Sequence, residues 1–411
     1  MIRKTLSLFT VLLMVVLVGS VSMGAVGAQD QITLVEWDYW VPPGNQADVW
    51  GQLLNQCGAA NNVVVESQPS PRNDLITKVL LAAQQQQLPD ILMIDNPDLQ
   101  QVASTGALAP LTDYGVDLTG LYANLIDAGS LDGVVYGIAP GINGMALFYN
   151  VDMLEAAGVE PPTTWAEVKD AAAALTSEGV YGIAFSAPAT EEGSWQFEPW
   201  FWGAGADLSQ LDSPEGVQAL QFWVDLVESG YASRSVVTWS QGDVNDQFIA
   251  GNAAMMQNGV WNLPALDEAG INYNVVPIPM PDGGAAPGPM GGEVLALPLS
   301  GDEARMQAAA NVINCLLSEE SERTWGNLNA YIPSRQSVAE QVAEDNPMMK
   351  SFVDAAAAER ARTGPPANLG PDYSKVSQPL WNAIQAALTG AKTPKQALAD
   401  AQKQAESAMN E

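Results

Sequence analysis

Ile32-Thr33-Leu34-Val35 is a short apolar run, ended by the aromatic and polar cluster Glu36-Trp37-Asp38-Tyr39-Trp40. Pro42-Pro43-Gly44 then breaks the backbone, and residues 46–56 carry Val49, Leu53 and Leu54 at helical spacing. Val63-Val64-Val65 reads as a second strand. Over 73–87, Leu75, Ile76, Val79, Leu80 and Ala83 fall on one helical face, Pro89 stops the helix, and Ile91-Leu92-Met93-Ile94 is a third strand. Short strands that are apolar on both sides, alternating with amphipathic helices, predict an α/β fold. Its sheet should be parallel and covered by helices on both faces.

After Pro140-Gly141 the pattern begins again. Residues 145–149 read as a strand and 152–157 as a short helix, with Pro161-Pro162-Thr163 as a turn. Thr164 has the position of a helix N-cap, and Glu167, three residues on, that of its capping-box partner. Further helices are expected over 214–229, 244–250, 303–317 and 378–388, and a closing one runs from Thr393-Pro394 to Met409. The Pro- and Gly-rich stretch 277–292 reads as an ordered loop between lobes.

The first residues add a compartment. Arg3 and Lys4 precede a nearly unbroken apolar run over 6–18, and Val26-Gly27-Ala28 offers the small side chains of a signal-peptidase site. The run is short against the roughly 20 residues a membrane span needs, and no basic stop-transfer cluster follows. Residues 1–28 are therefore expected to be a cleaved signal peptide, and no Cys stands near the cleavage point to carry a lipid. Export to the periplasm or beyond follows.

Charge and residue usage then exclude several functions. Of 16 Lys and Arg, Arg3 and Lys4 leave with the signal, so 14 face 47 Asp and Glu, a net charge of −33. Such a field repels phosphate backbones and anionic lipid heads, which disfavours nucleic-acid and membrane-surface roles. Histidine is absent, which removes Ser–His and Cys–His nucleophile pairs and every His-containing zinc site. Cys57 and Cys315 are too few for a Cys-only zinc site. In an exported chain they form either a disulfide or two separate buried thiols, and both alternatives stay open. No metal, cofactor or catalytic residue is expected.

Several stretches, in order, carry a family resemblance: Leu88-Pro89-Asp90-Ile91, Asp132-Gly133-Val134-Val135-Tyr136-Gly137-Ile138, Leu147-Phe148-Tyr149-Asn150 running on to Ala156-Ala157-Gly158, and Pro162-Thr163-Thr164-Trp165. Phe248-Ile249-Ala250-Gly251-Asn252, Asn258-Gly259-Val260-Trp261, Gly291-Gly292 and Tyr331-Ile332-Pro333-Ser334-Arg335 continue the series. The set resembles the family 1 extracellular solute-binding proteins, the maltose-binding-protein-like receptors of carbohydrate ABC importers. The resemblance implies a two-lobed periplasmic-binding-protein fold with discontinuous lobes and three interlobe crossings. Residues 29–141 with 275–331 would form the N-terminal lobe, and 142–274 with 332–411 the C-terminal lobe. The crossings would fall near Pro140-Gly141, 273–276 and 331–333. It also implies a cleft that closes by hinge bending on a carbohydrate, a monomer, and permease subunits as partners.

A sugar has flat C–H faces and a rim of hydroxyls, so its receptor needs aromatic platforms and converging hydrogen-bonding groups. Trp37, Trp195, Trp239 and Trp261 lie beside polar residues at strand ends and are the platform candidates, because ligands of open α/β sheets sit beyond the strands' carboxyl ends. Trp223 and Trp325, on helical faces, are assigned to the core, and Trp200 and Trp202 to either place. Asp38 and Asp95 each follow an apolar run, where a carboxylate accepts two hydroxyls; Asp95 alternatively caps the helix that Asn96-Pro97-Asp98 opens. Asn143 stands just past the first crossing, where the resemblance places a ligand contact. Gly292 and Glu293 mark a turn where backbone can approach a ligand. Arg335, like Arg72, either braces a sugar or pairs with an acidic neighbour. Two other functions remain: a secreted carbohydrate-active enzyme using a carboxylate pair, and a binding protein for a polyol, a glycerol phosphodiester or a cation.

Overall fold

Two sheets organise the chain in a computed structural model that describes residues 31–410. The expected signal peptide and its cleavage point lie outside the described residues. The first sheet runs in the order Val63–Ser67, Ile32–Trp37, Ile91–Asp95, Glu293–Pro298 and Leu108–Ala109, with Gly137–Ile138 also paired to Glu293–Pro298. The first three strands are parallel, as the strand–helix rhythm predicts. Glu293–Pro298 is antiparallel to its neighbours, so the sheet is mixed. That strand arrives after the chain has already built the second sheet, and it enters from the opposite end.

The second sheet has the order Tyr181–Ala184, Ala253–Gly259, Met145–Asn150 and Tyr273–Val276. Tyr273–Val276 pairs with Met145–Asn150 along its whole length, so the crossing expected near 273–276 is a strand of this sheet. The passage back to the first sheet is made by 277–292 instead. The two remaining crossings meet: Gly141–Ile142 and Ile332–Pro333 form a two-stranded ribbon.

Side-chain alternation explains why the sequence shows no polar face in these strands. Ile91 and Met93 join one apolar cluster, with the helices Asn45–Ala60 and Glu303–Leu316, while Leu92 and Ile94 join another. Leu147 and Tyr149 enter a third cluster beneath the second sheet, which also holds Trp200, Trp202 and Trp223. Ala146 and Phe148 turn to the same cluster as Leu92 and Ile94. One apolar cluster is therefore shared by both sheets.

Local chemistry fixes the helix ends. Thr164 caps Trp165–Leu175 by accepting from the Glu167 amide. Glu167 does not return the bond to Thr164; its carboxylate takes the Thr163 amide and hydroxyl, both at 2.7 Å. The capping box is thus displaced by one residue. Cys57 and Cys315 are bridged, with Cα atoms 5.5 Å apart, joining Asn45–Ala60 to Glu303–Leu316. Among the described residues no helix is long and apolar enough to cross a membrane.

Candidate functional site

The first sheet ends in two facing carboxyl groups. Asp95 is the last residue of its strand and Glu293 the first of the antiparallel neighbour, and the register places them directly opposite. Like charges so placed repel, and both residues are buried. The protein resolves this by treating them differently. Asp95 receives Arg72 on one oxygen and Arg362 on the other, at 3.0 Å. Burial alone would raise its pKa, but Arg362 and Arg72 outweigh burial and hold it below the usual carboxylate range. Glu293 has no cation of its own. Burial pushes it up to about 7, opposed by a hydrogen bond from the Tyr39 hydroxyl, and the Tyr331 hydroxyl donates to the same oxygen at 3.3 Å. At neutral pH one carboxyl is fixed as an anion and its neighbour is poised between states.

The second sheet supplies aromatic surface. Trp261 follows the strand Ala253–Gly259, and Trp195 lies in the helix Glu191–Gly203. Their ring centroids are 5.5 Å apart, tilted by 36°. Gly259 is required here, because a Cβ on it would stand 1.8 Å from the Trp261 ring. Buried Trp195 Nε1–H has no acceptor among the described residues. Gln241 opens the helix Gln241–Ile249, where Ser240 and Asp243 form a capping box, and the Asn258 side chain holds its carbonyl at 2.9 Å.

These groups line a cavity of about 240 Å³, bounded by Tyr39, Trp40, Gln46, Arg72, Asp95, Asn143, Glu293, Tyr331 and Arg362 and, from the side of the second sheet, by Trp195, Gln241 and Trp261. Gly291 and Gly292 complete it; Gly292 has φ +113°, and a Cβ on it would lie 2.7 Å from the Gly141 carbonyl. Six of the sequence candidates are therefore brought together: Asp95, Asn143, Trp195, Trp261, Gly292 and Glu293. Asp95 also accepts from the Asn96 amide, so its capping and cavity roles coexist.

Four candidates are elsewhere. Trp37 lies under the Lys78 ammonium, 3.6 Å from its ring centroid, in a surface hollow beside Asp74 and Leu81. Asp38 is buried and spent locally, accepting from the Trp40 amide and the Ser67 hydroxyl, both at 2.6 Å. Trp239 packs between two apolar clusters, with its carbonyl accepting from Ser186 at 2.8 Å and its amide donating to the Ser235 carbonyl at 2.9 Å. Arg335 pairs with Asp117 and Glu322 and donates to the carbonyls of Leu317 and Thr119. The strand ends at Trp37, and the chain bends at Tyr39 before the next helix. Trp37 and Asp38 therefore stay beside the sheet, while the bend carries Tyr39 and Trp40 to the cavity.

Sequence reading passed over Tyr39, Gln241, Tyr331 and Arg362 as site residues. Tyr39, Gln241 and Tyr331 lie inside stretches already singled out, next to the residues chosen. Arg362 comes from a loop with no motif, and its 1% exposure was the only signal. Among the described residues no group of acidic or sulfur ligands could hold a metal ion.

A family model described as bacterial extracellular solute-binding protein matches residues 52–351. The galactooligosaccharide-binding protein of Bacillus subtilis is 24% identical over 324 residues, covering 75% of this chain and 74% of that one. Among solved structures, the maltose-bound MalE3 of T. maritima superposes with a TM-score of 0.81 at 25% identity, covering 91% of this chain and 99% of that chain. The cyclic alpha-maltosyl-1,6-maltose binding protein of Arthrobacter globiformis gives 0.75 at 26% identity, covering 92% and 99%. These neighbours have the two-lobed fold expected of the sequence, and the family model spans well over half of the residues. The chain belongs to the bacterial extracellular solute-binding protein family.

Proposed function

We propose that this protein is the extracytoplasmic substrate-binding component of an ABC importer, capturing a mono- or oligosaccharide by cleft closure and delivering it to permease subunits. The observation that carries the reading is the cavity between the two sheets. The tilted pair Trp195 and Trp261 on one side stands with a carboxyl, arginine and tyrosine set on the other. Aromatic faces take the C–H side of a sugar, and charge-assisted groups take its hydroxyls. The named relatives bind sugars, which favours the same ligand class here. The family's extracellular character and the signal pattern support a periplasmic or extracellular location.

Binding without catalysis is favoured by how the carboxyl pair is occupied. A glycosidase needs one free nucleophile or base and one free acid. Both Asp95 oxygens are taken by arginines, and Glu293 is held by two phenols. A melting-temperature screen against monosaccharides and short oligosaccharides tests the reading. A sugar at 100 times its Kd should stabilise the folded state by about 2.7 kcal/mol and be recovered intact. Failure of every sugar to raise the melting temperature, or hydrolysis of the one that does, would refute it.

A further inference from the structure

The cleft continues beyond the cavity. A second hollow of about 400 Å³ shares Arg72 and Asp95 with the first as walls and is otherwise bounded by Ile76, Asp98, Glu191, Tyr373 and Trp381 among others. Between the two compartments runs one chain of ion pairs. Arg72 binds Asp95, Asp95 binds Arg362 at 3.0 Å, Arg362 binds Glu191 at 2.8 Å, and the Tyr373 hydroxyl donates to Glu191 at 2.6 Å. Resting on the carbohydrate reading above, we propose that this chain of ion pairs is a partition that restricts the ligand to a single sugar ring, with Arg362 as its specificity-determining residue.

Volume is the first argument. The compartment of about 240 Å³ lies below the roughly 300–1,000 Å³ that encloses drug-sized ligands, and a trisaccharide is such a ligand. One ring fits, and a longer chain that continues along the cleft into the second hollow must cross the partition. Displacing the partition is the harder course, because Arg362 and Asp95 are 1% and 6% exposed, and a buried charge parted from its partner is left uncompensated.

Hydrogen bonding is the second argument. Arg362 and Trp195 both line the compartment, and Arg362 Nε and Trp195 Nε1 are buried donors with no acceptor among the described residues. Buried donors without partners are costly, and a small shift of either side chain towards a bound ring would give it a hydroxyl or ring oxygen as acceptor. Charge is the third. Arg72 and Arg362 are balanced by Asp95 and Glu191, which suits a neutral ring over a uronate or an amino sugar.

The test is a calorimetric titration of the purified chain with a ladder of neutral hexoses and pentoses, and of the di- and trisaccharides built from them. At least one monosaccharide should bind, and its trisaccharide should bind at least about tenfold more weakly, a difference of about 1.4 kcal/mol. Arg362→Met, which keeps most of the side-chain bulk and removes the guanidinium, should shrink that ratio to within about threefold. If that variant does not fold, the ladder on the natural chain still decides. A trisaccharide that binds the natural chain as tightly as any monosaccharide overturns the partition and leaves the carbohydrate reading intact. So does a folded Arg362→Met protein whose ratio is unchanged. Binding of no sugar of any length overturns both.

Discussion

The first sheet brings charge to the cavity, and the second brings rings. On the first side, Asp95, Glu293, Arg72 and Tyr39 are bonded to one another before any ligand arrives. On the second, Trp195 and Trp261 offer tilted ring faces and an indole N–H with no partner among the described residues. A self-satisfied polar wall gains little net energy from a new hydrogen bond, because it exchanges one partner for another. An aromatic wall gains by excluding water from apolar area. The charged side should therefore set orientation and the aromatic side should set affinity. The two sides also differ in their foundations, since only the helices packed on the first sheet are joined by a disulfide.

Cutting that bridge should have the largest effect on stability. The Cys57–Cys315 link closes a loop with a sequence separation of 258, and the chain-entropy relation gives about 5.6 kcal/mol for a loop of that size. The double variant Cys57→Ser, Cys315→Ser should lose a comparable amount in denaturant unfolding. Hydrogen exchange should then accelerate in Asn45–Ala60 and Glu303–Leu316 and stay slow in Pro214–Glu228 and Tyr373–Leu388, beneath the second sheet. Equal acceleration on both sides would remove the asymmetry.

Titration sharpens the contrast within the charged wall. Glu293 keeps its proton to about 7 in the folded chain, against an ordinary value of 4.5. Between those values the folded state binds one proton more than the unfolded state. Stability from this group is therefore complete below about 4.5 and falls by about 1.4 kcal/mol per unit as pH rises towards 7. Asp95, held low by its arginines, acts in the opposite sense and loses stability only as pH falls below the ordinary range. Compared with the natural chain between pH 5 and 7.5, Glu293→Gln should lose a downward slope worth about 2.4 kcal/mol in urea unfolding. Identical slopes for the two proteins would mean that Glu293 is ionised throughout.

Much of this architecture is legible in the residues. Fully apolar runs such as Ile91-Leu92-Met93-Ile94 announce strands buried on both faces, and Thr164 and Pro89 mark helix ends. The order of motifs carries the two-lobed fold. What the sequence hides is whatever depends on pairing between distant strands. Nothing near Asp95 says that Glu293 will lie opposite it, 198 positions on, and nothing near Arg362 says that it will join Asp95 to Glu191. The Cys57–Cys315 pair was open for the same reason. The local environment of each Cys suits a thiol as well as a bridge, and only the packing of two helices against one sheet decides it.

The aromatic wall is tested by truncation. Trp261→Ala should weaken sugar binding by about 1–3 kcal/mol, the range of a central aromatic at an interface, and Trp195→Ala should do the same. Asn143→Ala, on the polar side, should fall below either. Calorimetry on the three proteins ranks the walls directly. If Asn143→Ala costs more than either tryptophan, the division into an orienting wall and an energetic wall is reversed.

The smallest effect is expected at Trp37, and it separates position from residue type. Trp37 is as aromatic as Trp261, yet its ring is covered by Lys78, and its Nε1–H donates to Gln68 at 3.3 Å, outside the cavity. An exposed cation–π pair is worth about 0.5–1 kcal/mol, so Trp37→Ala should lower stability by about that amount. Sugar affinity should stay within about 0.5 kcal/mol of the natural chain, the usual range for a surface change away from a site. The discriminating measurement is therefore the pair of numbers for one protein, unfolding free energy and sugar Kd. A loss in both would place Trp37 at the ligand after all. A loss in stability alone would fix the boundary of the site between residues 37 and 39, where the strand ends and the bend that follows brings Tyr39 into the Glu293 hydrogen bond.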